Sequence, residues 1–303
     1  MSYDVLVIGG GPAGLSAALN VRARGRSVLV VSNPLEENPL WRAEKVDNHL
    51  GMPALSGAEL LKEFRRHAEE AGAAFLEGKV LNTVRMDDIW YVGIGSDMEN
   101  AGALVLAGGV ARGKKYPGEA EFLGRGVSYC ATCDGPFYRK KTVAIVGGGD
   151  SAVQAAIELA KLCPTVYLLV RSRIRAQEIL VKRMKELENV KVYMGYTPEE
   201  VKGDKKVQGL VIKNKADGKT EELSVDGVFV EAGGIPNNSY LPSDVKVNSL
   251  GEIMTNKEGE TNVDGLFAAG DVTDCRNKQV IIAAGEGAAA ALAAHEYLLR
   301  SGL

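Results

Sequence analysis

Two cysteines separated by two residues, Cys130 and Cys133, are followed at once by a carboxylate, Asp134. A CxxC pair is either half of a metal site or a dithiol that cycles through a disulfide. Zinc needs four ligands at close spacing. The remaining cysteines, Cys163 and Cys275, are isolated, and none of His49, His67 and His295 lies near a second pair. The ligand count therefore sets zinc aside, and no metal site is assigned. What remains is thiol–disulfide exchange, in which a thiolate attacks and a helix start at the pair lowers one thiol pKa. Asp134 is placed to give or take a proton; the plainer alternative is a turn residue that satisfies local backbone. Cys163, before Pro164, reads as a small buried hydrophobe, and Cys275 as core or loop filler.

Glycine-rich turns stand on either side of this pair. In Gly9-x-Gly11-x-x-Gly14 the first glycine allows a tight turn, the second lets backbone approach a pyrophosphate, and the third lets a helix pack on its strand. An apolar run, Val5–Ile8, precedes it, a helical stretch, Leu15–Arg24, follows, and a strand, Ser27–Val31, returns. Ser32 stands at the end of that strand, where an acidic residue would grip a ribose. Gly147-x-Gly149-x-x-Ala152 repeats the arrangement between the strand Thr142–Val146 and a helix Ser151–Leu162, which Cys163-Pro164 stops. After the next strand, Val166–Val170, comes Arg171-Ser172-Arg173-Ile174-Arg175. Three arginines without a carboxylate suit a 2′-phosphate, hence NADPH over NADH; the alternative is a solvated surface turn.

The twofold strand-turn-helix-strand pattern predicts an α/β protein with two Rossmann-like dinucleotide-binding domains. Ser56-Gly-Ala-Glu59 has capping-box spacing ahead of a helix that ends at Gly72. Leu104–Leu106 is a strand closing on Ala107-Gly-Gly109. Val207–Ile212 and Val228–Val230 are expected to complete the second sheet, and an Ala-rich helix runs from about Gln279 to Arg300. The 303 residues are 46% hydrophobic and 25% charged, with a net charge of −3 and no block of like charge. That balance argues against disorder, a nucleic-acid footprint and a membrane-surface patch. No run is apolar enough to span a bilayer, and the first residues lack the layout of a signal peptide. Four cysteines are too few for a secreted disulfide scaffold. A reducing, cytoplasmic setting is expected, where a CxxC is catalytic rather than structural.

The segments Gly124–Tyr138, Gly147–Ala152 and Phe267–Val272, in that order, resemble the redox-active segment, the nicotinamide-nucleotide turn and the second FAD motif of the low-molecular-weight thioredoxin reductases. The resemblance covers essentially the whole chain. It implies a homodimer, an FAD domain from residues 1–113 and 244–303, and an inserted NAD(P)H-type domain, 114–243, carrying the CxxC. By the same resemblance Cys133 faces the flavin, Cys130 attacks the thioredoxin disulfide, Asp134 handles protons, and the domains reorient between the two tasks. FAD contacts are implied at Gly9, Gly11, Pro12, Ala13, Gly14, Ser32, Asn33, Pro39, Asn48, Gly109, Gly270, Asp271, Lys278, Gln279 and Val280. NADPH contacts are implied at Gly147, Gly149, Asp150, Ser151, Ala152, Arg171 and Arg175.

The chain departs from that family at two places. Glu37-Asn38-Pro39 stands where Gly-Gly-Gln is usual in the FAD loop, and the His-Arg-Arg-x-x-x-Arg signature for the 2′-phosphate is reduced to Arg171, Arg173 and Arg175. Relatives with such a degraded signature include some that take electrons from ferredoxin. The expectation is a flavin-dependent disulfide reductase acting on thioredoxin or a thioredoxin-like protein, with NADPH as donor. Its alternatives are the same chemistry fed by ferredoxin or another reduced carrier, and a flavin-bearing redox sensor. A ferredoxin–NADP⁺ reductase of this fold has no need of the CxxC.

Overall fold

The computed structural model describes residues 2–43, 45–112, 115–232 and 234–303, except the side chains of Arg42 and Arg112. The chain divides into two compact units, Met1–Ala111 with Ile235–Leu303, and Arg112–Gly234. The first crossing lies beside the expected boundary of 113/114, whose residues Gly113 and Lys114 are outside the described set. The return falls at Ile235 rather than near 244, because Tyr240, Leu241 and Val245 already pack in the core of the first unit.

In the first unit the strand Tyr3–Ile8 lies between Val28–Ser32 and Asp97–Leu106, parallel to both. Its residues Val5 to Ile8 are apolar and buried on both faces, the pattern of a central parallel strand. Ala74–Glu77 extends one side of the sheet, and the hairpin Val80–Met86 and Ile89–Ile94 the other. Asp97–Leu106 serves two partners along its length. Its first half pairs antiparallel with Ile89–Ile94, and its last residues pair parallel with Leu266–Ala268. On one face the helices Pro12–Arg22 and Val280–Ser301 present Ala17, Ala18, Ala290 and Ala294 to Val5, Val7 and Val105. Small side chains at this seam let the two helices lie close. Trp90, Tyr240 and Ile253 cover the other face.

The second unit has a five-stranded parallel sheet, in the order Val190–Met194, Thr165–Val170, Thr142–Val146, Gly227–Val230, Val127–Ser128. Gly227–Val230 joins this sheet as expected, but Val207–Ile212 does not. Val207–Asn214 is instead the middle strand of a separate antiparallel sheet with Tyr196–Gly203 and Thr220–Ser224. The links before and after it are only a few residues long. Such links make hairpins, whereas a parallel neighbour needs a crossover of a dozen residues or more.

The helix Gly57–Glu70 carries the expected capping box: Glu59 N donates to Ser56 Oγ at 3.2 Å and Ser56 N donates to Glu59 Oε2 at 2.8 Å. Its inner face sets Leu61 and Ala68 against Leu15. Replacing Ser56 with alanine removes the side-chain half of the box and leaves the backbone N–H of residue 56 to the Glu59 carboxylate. Chemical denaturation is expected to show a loss of about 1 kcal/mol.

Candidate active site

Gly9 follows the buried strand Tyr3–Ile8 with φ +118°, and a Cβ there would overlap the Ala107 carbonyl oxygen. A Cβ on Gly14 would in turn overlap the Gly9 carbonyl. The turn thus rests backbone on backbone. Gly11 is the N-cap of the helix Pro12–Arg22, with Pro12 in its first turn and no side chain capping it. Proline has no N–H to leave unpaired, and the other free N–H groups of the first turn face outward with the positive end of the helix dipole. An anionic phosphate is the ligand such a turn fits. Ala13 is buried behind it, with Gly287 so close that a Cβ would overlap the Ala13 carbonyl.

The segment 270–280 closes over the same turn. A Cβ on Gly270 would stand 2.9 Å from that of Ala13, and Gly270 N donates to Glu286 Oε2 at 2.7 Å. Lys278 Nζ donates to the carbonyls of Asp271 (3.2 Å) and Thr273 (2.5 Å) and pairs with Glu252 at 3.3 Å. It locks the loop rather than reaching outward. Burial pushes the Asp271 carboxyl up; nearby Lys278 opposes this and Glu286 adds to it. Gln279 is the N-cap of Val280–Ser301, and its Oε1 accepts from Asn48 Nδ2 at 2.8 Å. Asn48 and Gln279, remote in sequence, are therefore joined. Cys275 is half-buried in this loop, with its thiol pushed up by burial.

Pro39 opens a short 3-10 turn, Pro39–Arg42, whose cap Asn38 accepts from Leu40 N at 2.9 Å. Asn38 Nδ2 lies 3.1 Å from where a Cβ of Gly11 would be, so the altered Glu37-Asn38-Pro39 loop still lies against the glycine turn. Asn33 donates to Glu37 at 2.9 Å. At the end of Val28–Ser32 a cleft of about 460 Å³ is lined by Ser32, Glu36, Arg65, Phe75 and Glu77 among others. The carboxylates missing from position 32 are present there, from Glu36 and from Glu77 on the neighbouring strand. Gly109 lies just past the sheet, and its carbonyl accepts from Asn237 N at 2.9 Å.

In the second unit Gly149 is the N-cap of Asp150–Ala160, and a Cβ there would meet open space. Ala152 is buried and Ser151 exposed. Asp150 accepts from Gln177 N at 2.7 Å and from Gln177 Nε2 at 2.8 Å, while Arg175 N donates to the Gly148 carbonyl at 2.6 Å. The arginine loop is thereby folded back along the glycine turn. Arg171, Arg173 and Arg175 are exposed, and among the described residues none has a side-chain hydrogen bond or ion pair.

The same unit holds the cysteines. Cys130 is the N-cap of a single helical turn, Ala131–Asp134, and is disulfide-bonded to Cys133 with Cα atoms 5.3 Å apart. Cys130 is half-buried and Cys133 exposed. Cys133 N donates to Cys130 Sγ at 3.2 Å. Cys130 N donates to Ser128 Oγ at 3.1 Å, and that hydroxyl donates to Asp134 Oδ2 at 2.6 Å. Asp134 thus binds a side chain rather than turn backbone. Burial pushes its carboxyl above the usual carboxylate range, against the opposing bond from Ser128. Glu231 Oε1 accepts from Ala131 N at 3.4 Å, a second carboxylate at the pair. Cys163 is buried, as its sequence context suggested, and burial pushes its thiol up to about 11.

A family model described as pyridine nucleotide-disulphide oxidoreductase matches residues 3–287. The chain is 37% identical over 301 residues to a thioredoxin reductase of Aquifex aeolicus, covering 98% of this chain and 93% of that one. It is 36% identical over 302 residues to an NADH dehydrogenase of Bacillus subtilis, of whose length it spans 59%. The chain spans about 60% of the length of the first curated relatives it matches. Its structure is similar to that of a thioredoxin reductase from Giardia duodenalis, with a TM-score of 0.90, 32% identity, and 98% and 99% of the two chains covered. It is also similar to a ferredoxin-flavin thioredoxin reductase from Clostridium acetobutylicum, with a TM-score of 0.54, 37% identity and 98% of each chain covered.

Asp134 sets a pH dependence whose sign follows from its burial. Its folded pKa is raised, so in the window between the unfolded and folded values the native state holds a proton that the unfolded chain has released. Stability therefore falls as pH rises through that window. Asp134→Asn keeps an acceptor for Ser128 and carries no charge. Thermal melting of the oxidised protein should show a higher midpoint for this variant above the window and no gain below it. A lower midpoint at neutral pH would contradict the assignment.

Proposed function

Because this chain belongs to the pyridine nucleotide-disulphide oxidoreductase family, we propose that it is a flavin-dependent disulfide reductase that passes electrons through Cys130 and Cys133 to thioredoxin or a thioredoxin-like protein. The observation that carries this reading is the Cys130–Cys133 disulfide at the start of a helical turn, with a desolvated carboxylate linked to it through Ser128. FAD fits the first unit. The uncapped turn Gly9–Gly14, the facing Gly270 and Gly287, and the closed loop 271–280 form a cradle lined by backbone. Gly9, Gly11, Pro12, Ala13 and Gly14 would hold its pyrophosphate, with Gly109, Gly270 and Asp271 beside them. Ser32, Asn33, Pro39, Asn48, Lys278, Gln279 and Val280 would shape the loops around it.

Bound FAD would supply the two electrons that open the disulfide. The chain's own residues then complete the exchange. Cys130, as thiolate, attacks one sulfur of the partner disulfide; a mixed disulfide forms and the partner's other sulfur leaves as thiolate. Cys133 attacks Cys130 Sγ, which re-forms the internal disulfide and releases the second partner thiolate. Asp134, with its raised pKa, is positioned to take and return the protons of the dithiol. The reading includes a homodimer, as the family resemblance implies, and a cytoplasmic site of action, consistent with the few cysteines. No helix among the described residues is long and apolar enough to cross a membrane.

NADPH is the proposed donor, supported by the exposed guanidinium groups of Arg171 and Arg175 and by the open end of the helix at Gly149, with Asp150, Ser151 and Ala152 in its first turn. A second reading, ferredoxin as donor, is favoured by the incomplete arginine signature and by the likeness to the Clostridium acetobutylicum protein.

Cys133→Ser should lower turnover of a thioredoxin disulfide by roughly a thousandfold or more, as removal of a covalent participant does, while the flavin spectrum persists. Retained turnover would sink the proposal. Anaerobic stopped-flow mixing with NADPH separates the donors. Rapid bleaching of flavin absorbance supports NADPH; bleaching only with reduced ferredoxin supports the second reading.

A further inference from the structure

Ser128 is 3% exposed and ends the short strand Val127–Ser128, which pairs with Gly227–Val230 in the parallel sheet of the second unit. Its hydroxyl oxygen accepts from Cys130 N at 3.1 Å. The one proton that this hydroxyl carries has two acceptors in reach, Asp134 Oδ2 at 2.6 Å and the Cys130 carbonyl at 3.3 Å. A full-strength bond goes to one of them at a time. The Cys130 carbonyl also accepts from Asp134 N at 3.1 Å, so serine, carboxylate and first cysteine close a ring of hydrogen bonds.

The state of Asp134 decides which way the proton points. A charged carboxylate only accepts, so the Ser128 hydroxyl donates to Oδ2. A protonated carboxyl has a donor of its own; it donates to Ser128 Oγ, and the serine proton turns to the Cys130 carbonyl. Oγ then accepts from the carboxyl and from Cys130 N, which uses both of its lone pairs. Either arrangement leaves every group paired. Burial raises the Asp134 carboxyl, and the bond from Ser128 works against that by favouring the charged form.

The other titratable groups at the turn have different partners. From the helix Asp150–Ala160, Glu158 Oε2 accepts from Thr132 Oγ1 at 3.1 Å. From the end of Gly227–Val230, Glu231 Oε1 accepts from Ala131 N at 3.4 Å, and Tyr129 donates to Glu119 Oε1 at 2.9 Å. Tyr138, on the 3-10 turn Gly135–Tyr138, lies against Phe229 and Lys141. Among the described residues Asp134 has no ion pair.

We propose that Ser128 is a positioning residue for the dithiol, a hydroxyl that turns between Asp134 and the Cys130 carbonyl as Asp134 releases and regains its proton, and so carries the state of the carboxyl to the backbone of Cys130. The proposal rests on the disulfide-reductase reading above.

The test follows the full-length, FAD-loaded, oxidised protein by NMR, with isotope-labelled cysteine and serine, across a pH titration. The Cys130 amide and Ser128 Cβ should move in one step with a shared midpoint, and Asp134→Asn should abolish it. Ser128→Ala should lose most of the Cys130 step and move what remains to higher pH, because the bond that favours the charged carboxylate is gone. Ser128→Thr, which keeps a hydroxyl, should restore it. In turnover with thioredoxin, Ser128→Ala should lower kcat roughly three- to tenfold, the worth of one hydrogen bond, with KM held within about twofold. A wild-type Ser128 Cβ that does not titrate would overturn the proposal, and that reading needs no variant to fold. So would a step that survives Asp134→Asn, a full-sized step in Ser128→Ala, or an unchanged kcat. Failure of the wild-type protein to reduce thioredoxin would remove the functional reading, while the titration still decides whether the hydroxyl turns. Normal turnover with a full-sized step in Ser128→Ala removes the proposal alone.

Discussion

The contact of Gly9 with the Ala107 carbonyl, backbone against backbone, sets the geometry of the first unit. It fixes the spacing of two adjacent parallel strands at their ends and so determines where the helix Pro12–Arg22 begins and points. That helix start in turn meets Gly270 and Gly287 with no room for a side chain on either. Segments about 260 to 280 residues apart in sequence are thereby brought onto one turn. The alanines along both helices serve the same end: larger residues would hold the helices apart and open the turn. A methyl group at Gly9, Gly14 or Gly287 would meet backbone and force the elements apart.

The dithiol is governed by charge rather than by close packing. Two carboxylates, Asp134 and Glu231, lie at a helical turn too short to offset them with much dipole. A disulfide is neutral in such surroundings, whereas a thiolate is disfavoured by a carboxylate beside it when that carboxylate is charged. Opening the pair takes two electrons from outside it, as for any disulfide. Burial holds the Asp134 carboxyl up, so its ionised form costs stability.

What could be read from the sequence was what depends on near neighbours. Both glycine turns, the capping box at Ser56 and the burial of Cys163 are local in origin, and the structure has them. Val207–Ile212 was legible as a strand but not as a member of the right sheet, because pairing partners are chosen by connection length and not by composition. The domain return at Ile235 was hidden for a similar reason: nothing in Tyr240 or Leu241 announces which core they enter. Glu36 and Glu77 join Ser32 in lining one cleft from different elements, and Gln177 reaches Asp150 only once the arginine loop folds back.

The first unit is assembled from two separate stretches of chain, and this bears on how the protein is made. A ribosome delivers Met1–Ala111 long before Ile235, so the early stretch emerges without Leu266–Ala268 and without the helix that covers Val5 and Val105. The second unit, Arg112–Gly234, is contiguous and can close as soon as it is translated. The later unit in the order of emergence is thus the earlier one to fold, and the N-terminal stretch waits with an apolar sheet face uncovered. The loop 270–280, which begins against Ala13 of the first glycine turn, is among the last parts to be synthesised. Until then the apolar residues that the helix after it covers, Val5 and Val105 among them, lack their partner.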